Sequence, residues 1–205
     1  MNKVIAGTAN APYFKTTDID GMYKLRGSVF KERLGWEVKT INGREVDDFD
    51  DLNPIFLLSR NNQRHIEGCL RLLPTTSPYM LEKVFPELLR GEAAPKDEDI
   101  WEWSRFAVLP VAEHQMAQGS LNEVTVGILR SAYEFAAQHD IKQYAAVTSV
   151  AAERLLRQLK LPMRRFGDGK ATRIGKVLSV AIWVDINEQY REAVQYIEQR
   201  GDIAA

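Results

Sequence analysis

Apolar positions in the first half of the chain change from the spacing of a helix to the spacing of strands. A helix is predicted to begin after Thr17 and to run to about Leu34, where Gly35 ends it. One face of this helix carries Met22, Arg26, Val29, Phe30 and Arg33. The runs "PIFLLSR" and "HIEGCLRLL" follow, and the polar turn "NNQR" between them predicts a β-hairpin.

Alternation within the strands predicts which side chains share a face of the sheet. In the second hairpin strand, one face is predicted to carry Ile66, Gly68, Leu70 and Leu72, and the other Glu67, Cys69 and Arg71. The aromatic run "WEWSRFAVL" predicts a further strand. Strict alternation places Glu102 and Ser104 on one face and Arg105 on the other, but a β-bulge, common beside active sites, would change this.

The second half of the chain alternates between helix and strand. An apolar stripe predicts a helix that packs on the sheet, and it consists of Leu121, Val124, Ile128, Ala132 and Phe135. The strand "QYAAVT" leads into a helix over about 150–160, capped by Thr148 or Ser149. The strand "VLSVAIWVD" and a charged helix over about 188–199 follow. Early hairpins and later strand–helix–strand alternation predict an α/β or α+β fold with a mixed central sheet.

Composition limits the functions that this fold can serve. With 205 residues, of which 45% are hydrophobic, we expect one domain over residues 1–205 with a full core. The 27 Lys and Arg residues are balanced by 28 Asp and Glu residues, so no nucleic-acid partner is expected. The lone Cys69 excludes an internal disulfide, and without a nearby histidine it is interpreted as a small buried hydrophobe. Because no secretion signal and no apolar run of membrane-spanning length occurs, neither secretion nor a membrane span is expected.

The segment "GREVDDFDD", residues 43–51, places five carboxylates within nine residues. An EF-hand counted from Asp47 would need a glycine where Leu52 stands and a glutamate where Leu58 stands, so a calcium loop of that type is excluded. The three histidines have no ligand spacing with one another, and we expect no metal. A solvated turn and a binding site for a cationic group remain as alternatives.

Two ionisable residues are predicted to lie among apolar side chains. Arg26 needs an anionic partner, which is either the acidic segment, in a structural salt bridge, or the carboxylate of a ligand. Glu102 is flanked by Trp101, Trp103 and Phe106. Desolvation there would make Glu102 a better base near neutral pH, and a structural ion pair is the alternative.

Basic residues cluster on and after the helix predicted at about 150–160. They are Arg154, Arg157, Lys160, Arg164 and Arg165. Such a cluster is usually a solvated face, but it would also suit an acidic protein partner. Its shortness argues against nucleic acid.

Five motifs resemble one known family in their order and spacing. They are "YKLRGSVFKERLGW", "GREVDDFDD", "IEGCLRLLPTTSPYML", "VFPELL" and "WEWSRFAV", and they cover roughly residues 23–108, with a weaker match from "AAVTSVAAERLLRQLKLPMRRFG" onward. Jointly they resemble the acyl-homoserine-lactone synthases, the LuxI-type autoinducer synthases of quorum-sensing bacteria. The resemblance implies a GNAT-like acyltransferase fold, with a twisted mixed sheet and a V-shaped opening for a pantetheine arm.

The resemblance also implies a reaction. An acyl chain passes from acyl carrier protein to the amine of S-adenosylmethionine, and lactonisation then releases methylthioadenosine. S-adenosylmethionine is therefore a substrate, and no separate cofactor is expected. The single cysteine suits a reducing cytoplasm, and we expect a cytoplasmic monomer.

Motif residues acquire roles from this resemblance. It implies that S-adenosylmethionine is bound by Arg26, Phe30, Trp36, Glu45, Asp47, Asp50, Arg71 and Phe106. We interpret Glu102 as the general base, acting directly or through a water, with Asp47 as the alternative. Ser104 and Arg105 are placed beside it in the catalytic group. Backbone N–H groups at a bulge near residues 105–107 are expected to stabilise the oxyanion.

The acyl chain is implied to lie near four residues, Met80, Leu121, Thr125 and Thr148. A hydroxyl at Thr148 would bind a 3-oxo or 3-hydroxy group, and a plain helix cap is the alternative. An acyl carrier protein is expected to dock on the basic residues.

Two other functions fit the same fold. An ordinary GNAT acetyltransferase binds the pyrophosphate of CoA with a glycine-rich turn, but the corresponding segment "PVAEHQMAQGSLNE" contains only Gly119. This favours a carrier-protein donor, while acyl-CoA remains an alternative donor. A ligand-binding module of the same fold would need no general base, so Glu102→Gln separates it from an enzyme.

Overall fold

The fold is built on a mixed β-sheet. The computed structural model describes residues 3–109 and 123–201, and side chains up to residue 195. The strands in this part are β1 (Lys3–Gly7), β2 (Thr40–Ile41), β3 (Arg44–Glu45), β4 (Ile55–Arg60), β5 (Ile66–Pro74), β6 (Ile100–Val108), β7 (Gln143–Ser149), β8 (Met163–Arg165), β9 (Thr172–Ile174) and β10 (Val177–Asp185). Within these residues, eight strands form one sheet in the order β1-β4-β5-β6-β7-β10-β8, with β9 also paired to β10. The predicted hairpin and the predicted mixed sheet are confirmed.

Helices cover both faces of the sheet. They are α1 (Thr16–Arg26), α2 (Met80–Lys83), α3 (Glu123–Gln138), α4 (Val150–Gln158) and α5 (Glu188–Gly201), with a π-helix at Gly27–Arg33 and 3₁₀ turns at Asp48–Leu52 and Pro86–Leu89. The first predicted helix is correct in extent but changes to π-helical geometry after α1, and Arg33 is exposed rather than on the buried face. Ser149 caps α4, since its Oγ accepts from the backbone N–H of Ala152 at 3.0 Å. No helix in the described ranges is long and apolar enough to cross a membrane.

The core has a layer on each face of the sheet. On one face, α3 and α5 cover Leu57, Leu70 and Leu72. On the other face, α1 covers Phe56 and Leu58. Burial of both faces explains why the central strands read as nearly continuous apolar runs.

Ile66 is an exception to the alternation predicted for β5. It packs in the cluster of Cys69, on the face opposite to the one predicted. The register shifts here, because Ser59 pairs with Gly68 while the next residue, Arg60, pairs with Ile66. The extra residue in β5 forms a bulge, which turns the start of the strand over.

A V-shaped cleft opens in the middle of the sheet. The parallel pairing of β6 with β7 ends at Trp103 and Ala146. However, β6 stays paired with β5 up to Val108, and β7 stays paired with β10 up to Ser149. The two halves of the sheet therefore diverge beyond Trp103, and the facing edges of β6 and β7 no longer pair with each other.

Gly27 permits a close approach that places part of the site. A Cβ at Gly27 would lie 2.1 Å from the carbonyl oxygen of Gly43, in the turn between β2 and β3. Only glycine allows this contact, and Gly43 itself has a φ of 75°. The contact docks the β2–β3 hairpin against the end of α1 and brings Glu45 onto Arg26.

Candidate active site

A β-bulge in β6 aims two polar side chains of the "WEWSRF" motif into the cleft. Arg71 on β5 pairs with Ser104, but the residue two positions earlier on β5 pairs with Ala107, so Arg105 and Phe106 oppose a single residue. Arg105 has a φ of 53°, and a left-handed conformation costs a non-glycine residue about 1–3 kcal/mol. Because of the bulge, Ser104 and Arg105 both line the cleft instead of pointing to opposite faces.

Arg26 lies at the centre of a buried ion-pair network. Its side chain has no exposed area, and its Nε lies 2.6 Å from Glu45 Oε2. Nη1 and Nη2 donate to the two oxygens of Asp50 at 2.8 and 2.9 Å. The acidic segment is therefore the anionic partner of Arg26, in the bidentate geometry that guanidinium favours.

Arg71 and Arg105 close this network into a ring. Arg71 Nη1 donates to Asp47 Oδ1 and to Asp50 Oδ1, the latter at 2.8 Å. Arg105 Nη2 lies 2.9 Å from Glu45 Oε1 and 2.8 Å from Asp47 Oδ2. We call this set the arginine–carboxylate ring, and it consists of Arg26, Arg71, Arg105, Glu45, Asp47 and Asp50. Its three positive and three negative charges balance.

The carboxylates of the ring differ in what they can still bind. The side chains of Glu45 and Asp50 are 1% and 2% exposed, whereas that of Asp47 is 17% exposed. Asp47 Oδ2 is itself buried and is paired with two arginines, at 2.8 Å from Arg105 Nη2 and 3.7 Å from Arg26 Nη2. Asp47 is therefore the most exposed carboxylate of the ring. In the same part of the chain, no His, Cys, Asp and Glu side chains are grouped as metal ligands.

Arg71 also has a donor nitrogen that makes no hydrogen bond in the described part of the chain. Its Nε donates to Ser104 Oγ at 3.1 Å, which joins the ring to the bulged strand. Its Nη2 is buried and has no hydrogen-bond partner within residues 3–109 and 123–195. Leaving a buried donor unsatisfied costs about 1–3 kcal/mol, so an acceptor from a ligand would be favoured here.

Glu102 is held by the first residues of α2. The residue is 1% exposed, and its carboxylate accepts from the backbone N–H of Met80 at 3.1 Å and of Leu81 at 2.7 Å. Burial raises the pKa of Glu102, although these two N–H groups and the charge of Arg71 offset part of the effect. A carboxyl group with a raised pKa that lines a cleft suits general-base chemistry near neutral pH.

Phe30 and Trp36 form an aromatic wall of the cleft that Glu102 also lines. The rings of Phe30 and Trp36 are stacked, with centroids 5.3 Å apart and an interplanar angle of 23°. The guanidinium of Arg105 lies 5.3 Å from the Phe30 centroid. Trp36 Nε1 is buried without a hydrogen-bond partner in the described part of the chain. The wall can stack on a flat ring or contact a cation.

Five of the six residues of the ring are absent from the lining of the cleft, namely Arg26, Glu45, Asp47, Asp50 and Arg71. Eight other site residues expected from the sequence line it. They are Phe30, Trp36, Met80, Glu102, Ser104, Arg105, Phe106 and Thr148. Residues not anticipated as lining are Leu34, Phe85, Trp103, Ala146, Val147, Ser149, Ala152, Leu156 and Ile182. The sequence shows the apolar spacing of most of these residues, but it does not show where the sheet splits. Thr125 is buried on α3 outside this lining, and Leu121 lies outside the described residues.

Cys69 lies beneath the bulge as a structural residue. It is 1% exposed, and its thiol donates to the carbonyl oxygen of Arg105 at 3.5 Å. Burial raises the pKa of Cys69 to about 12, so the thiol is not a nucleophile at neutral pH.

Ion pairs occupy three of the basic residues proposed for docking. Arg157 and Arg165 both bind the buried carboxylate of Glu153, at 2.9 and 2.6 Å. Arg164 lies 3.0 Å from Glu92 in the loop before β6. The spacing of Glu153 and Arg157, four residues apart on one helix, was the sequence signal for the first of these pairs.

Arg154 and Lys160 are the other two residues of the set, and both are exposed. Arg154 lies on α4, whose residues Ala152 and Leu156 line the cleft. A partner that contacts Arg154 would therefore lie beside the cleft.

The fold and the site together define a class of enzyme. A sheet that splits between two parallel strands offers open backbone edges, and a buried glutamate with a raised pKa lies at the split. This is the arrangement of an acyltransferase of GNAT-like fold. A putative N-acetyltransferase from Lactobacillus plantarum, with 14% identity and a TM-score of 0.56, shares the fold alone.

Comparison with known proteins narrows this class to one family. The model of the autoinducer synthase family matches residues 11–194. The acyl-homoserine-lactone synthase of Vibrio anguillarum is 41% identical over 177 residues, 86% of this chain and 91% of that protein. The solved AHL synthase LasI has 35% identity and a TM-score of 0.82, covering 95% of this chain and 94% of its own. The CoA-dependent acyl-homoserine lactone synthase BjaI, solved with SAM and isopentyl-CoA, has 25% identity and a TM-score of 0.81, covering 98% and 89%. The chain belongs to the autoinducer synthase family.

Proposed function

We propose that the protein transfers an acyl chain from acyl-acyl carrier protein to the amine of S-adenosylmethionine and then closes the lactone. The products are N-acyl-L-homoserine lactone, which serves as a quorum-sensing signal, methylthioadenosine and holo-acyl carrier protein. The observation that carries this proposal is the cleft in which Glu102, Ser104 and Arg105 meet the arginine–carboxylate ring.

The exposure and the hydrogen bonds of the ring residues suggest which of them contact the substrate. S-adenosylmethionine carries an ammonium, a sulfonium and a carboxylate. We assign the ammonium to Asp47, the most exposed carboxylate of the ring, and the carboxylate to Arg71, whose Nη2 has no hydrogen-bond partner among the described residues. Phe30 and Trp36 would contact the sulfonium and the adenine. Glu45 and Asp50 then act through the arginines that they hold, not through the ligand.

Acyl transfer begins with removal of a proton from the substrate ammonium, which we assign to Glu102, directly or through one water. The amine nitrogen forms a bond to the thioester carbon, and the carbonyl oxygen becomes an oxyanion. Backbone N–H groups of β6 beyond Trp103, which no longer pair with β7, would stabilise this oxyanion. Collapse of the intermediate breaks the carbon–sulfur bond. The attacking nitrogen loses its second proton to become the amide N–H, and the departing thiolate takes up one proton to become the thiol of the carrier.

Lactone closure uses groups that are already in place. The substrate carboxylate oxygen attacks its own γ-carbon, and the sulfonium leaves as neutral methylthioadenosine. A carboxylate held by Arg71 would be oriented for this attack, so proximity supplies much of the catalysis. No further acid or base is required, since no proton changes place in this step.

The acyl pocket is proposed to lie under α4. Met80 and Thr148 line the cleft there, together with Ala152 and Leu156. We propose that the Thr148 hydroxyl binds a 3-oxo or 3-hydroxy group. Acyl carrier protein is the proposed donor and acyl-CoA the alternative, since BjaI is a CoA-dependent relative.

Lactone production itself tests the proposal. A host that makes no lactones would express the chain, and organic extracts would be analysed by mass spectrometry, with the purified protein assayed in parallel. We expect one dominant N-acyl-homoserine lactone, with methylthioadenosine formed in equal amount from S-adenosylmethionine. The mass reports the chain and its substituent at the 3-position. Failure to form lactone from any acyl-carrier-protein or acyl-CoA donor would refute the proposed function.

Arg154→Glu tests the proposed docking of the carrier protein beside α4. The charge reversal is expected to lower kcat/KM for an acyl-carrier-protein donor on the order of tenfold, because the carrier is acidic. The value for the matching acyl-CoA should change little. Lys3→Glu, at an exposed residue on the edge strand β1, provides the same charge change and is separated from β6 by two strands. Equal effects of Arg154→Glu on both donors would contradict docking at this surface.

A further inference from the structure

Trp103 occupies the closed end of the V-shaped cleft. It is the last residue of β6 that pairs with β7, and it lines the cleft. The residue is 4% exposed, and its ring lies 5.8 Å from that of Tyr144 and 6.0 Å from that of Phe106. A rigid indole packed on two sides is a fixed end to any space that enters from the mouth of the cleft.

The residues beside Trp103 are small or apolar. Its partner across the β6–β7 pairing is Ala146, which in turn pairs with Ile182 on β10. The indole therefore fills space at the closed end that Ala146 leaves unfilled. Thr148 lies two residues farther along β7, about 7 Å toward the mouth at the rise of a strand.

This spacing gives the pocket a direction. If a polar group on the acyl chain binds Thr148, the rest of the chain must fit between Thr148 and the indole. Ala146 and Ile182 line that space. Trp103 Nε1 is buried and has no hydrogen-bond partner among the residues that the structure describes. The indole N–H therefore forms no hydrogen bond with the described residues, and the contribution of Trp103 here is the volume that its ring fills.

We propose that Trp103 forms the end wall of the acyl pocket and sets the upper limit of the acyl chain that the enzyme accepts. The inference rests on the proposed function, since it concerns the choice among acyl donors. Replacing the indole by a smaller side chain would extend the pocket toward the core beneath α3. Each methylene newly buried there favours a longer donor by roughly fourfold, so two favour it by more than tenfold.

A competition assay tests this proposal. The purified full-length protein would receive S-adenosylmethionine and an equimolar mixture of straight-chain acyl carrier proteins from butyryl to dodecanoyl, and the lactones would be separated by mass. Wild type is expected to show a sharp upper limit of chain length. Trp103→Ala and Trp103→Leu are expected to raise the ratio of longer to shorter lactones at least tenfold, and Trp103→Phe less. A ratio does not depend on how much of a variant is folded.

Trp101→Leu is the matched control. Trp101 lies on the same face of β6, but it packs against Phe135, with ring centroids 5.6 Å apart, and does not line the cleft. The product ratio of this variant should equal that of wild type. Unchanged ratios in Trp103→Ala and Trp103→Leu, or a wild type that accepts every donor equally, would overturn the inference. Absence of lactone from every donor would instead refute the proposed function.

Discussion

Glu102→Gln is expected to lower kcat on the order of 10²- to 10⁴-fold, the range that general-base catalysis contributes. The amide cannot accept the proton of the substrate ammonium, so the nucleophilic amine is not generated. Affinity for S-adenosylmethionine should change only modestly, because the ring supplies the proposed contacts to its charged groups. Turnover by mass spectrometry and binding by calorimetry measure the two effects separately. A ligand-binding module of this fold would have no turnover, and Glu102→Gln would leave its ligand affinity unchanged.

A structural effect of this substitution can be separated from a chemical one. Glu102 accepts hydrogen bonds from Met80 and Leu81, so the amide would turn an N–H group toward at least one of these donors. Glu82→Gln is the control, since Glu82 lies on the same short helix and pairs at the surface with Lys96. If both variants melt near wild type and only Glu102→Gln loses turnover, the loss is chemical. If Glu102→Gln keeps its turnover, Glu102 is not the general base.

The pH profile supplies a second readout of the same residue. Burial raises the pKa of Glu102, so it becomes protonated at a higher pH than an ordinary glutamate. A base works only when deprotonated. The rate should therefore fall as the pH falls through a value above the usual glutamate range, and this limb should be missing from the residual activity of Glu102→Gln.

The strands that bury both faces could be read almost completely from the sequence. "VLSVAIWVD" coincides with β10 because an apolar run bounded by polar turns leaves little freedom in where the strand starts and ends. The cap of α4 and the turn between β4 and β5 could also be predicted, because each depends on only a few neighbouring residues. The need of Arg26 for an anion could also be predicted, but the sequence left the acidic segment and a ligand carboxylate as alternatives, and the structure shows the first.

Other features depend on geometry that has no signature in the sequence. The π-helix at Gly27–Arg33 is invisible in the apolar period, because a single π-turn breaks that period for only a few residues. The strands β1, β2, β3, β8 and β9 are short or lie at an edge, and the sequence did not predict them. Trp103 was recognised as a neighbour of Glu102 but not as the end of a pocket, because that depends on where the pairing of β6 with β7 stops. Such long-range spacing is a property of the packed sheet rather than of any one strand.

Asp50→Asn is expected to give the largest loss of stability among single changes in the acidic segment. Asp50 binds Arg26 through both oxygens and Arg71 through one, and all three side chains are buried. Removing its charge leaves two buried guanidinium groups undercompensated, which costs about 3–5 kcal/mol. For a chain of this length each kcal/mol lowers Tm by roughly 2–4 °C, so calorimetry should show a drop of roughly 10 °C. Lactone synthesis should fall as well, because Arg71 is the proposed clamp for the substrate carboxylate.

Asp51→Asn is the control that the chain itself offers, because the adjacent carboxylate is exposed and should melt like wild type. Burial opposes the ionisation of Asp50, but the hydrogen bonds and charges of Arg26 and Arg71 outweigh it and lower the pKa of Asp50 below its ordinary value of 3.8. Its contribution to stability is therefore complete above that ordinary pKa and is lost as the pH falls through the lower folded value. The difference in Tm between wild type and Asp50→Asn should accordingly be full at neutral pH and shrink in strong acid. Equal melting of Asp50→Asn and Asp51→Asn at neutral pH would show that the ring does not hold the site together.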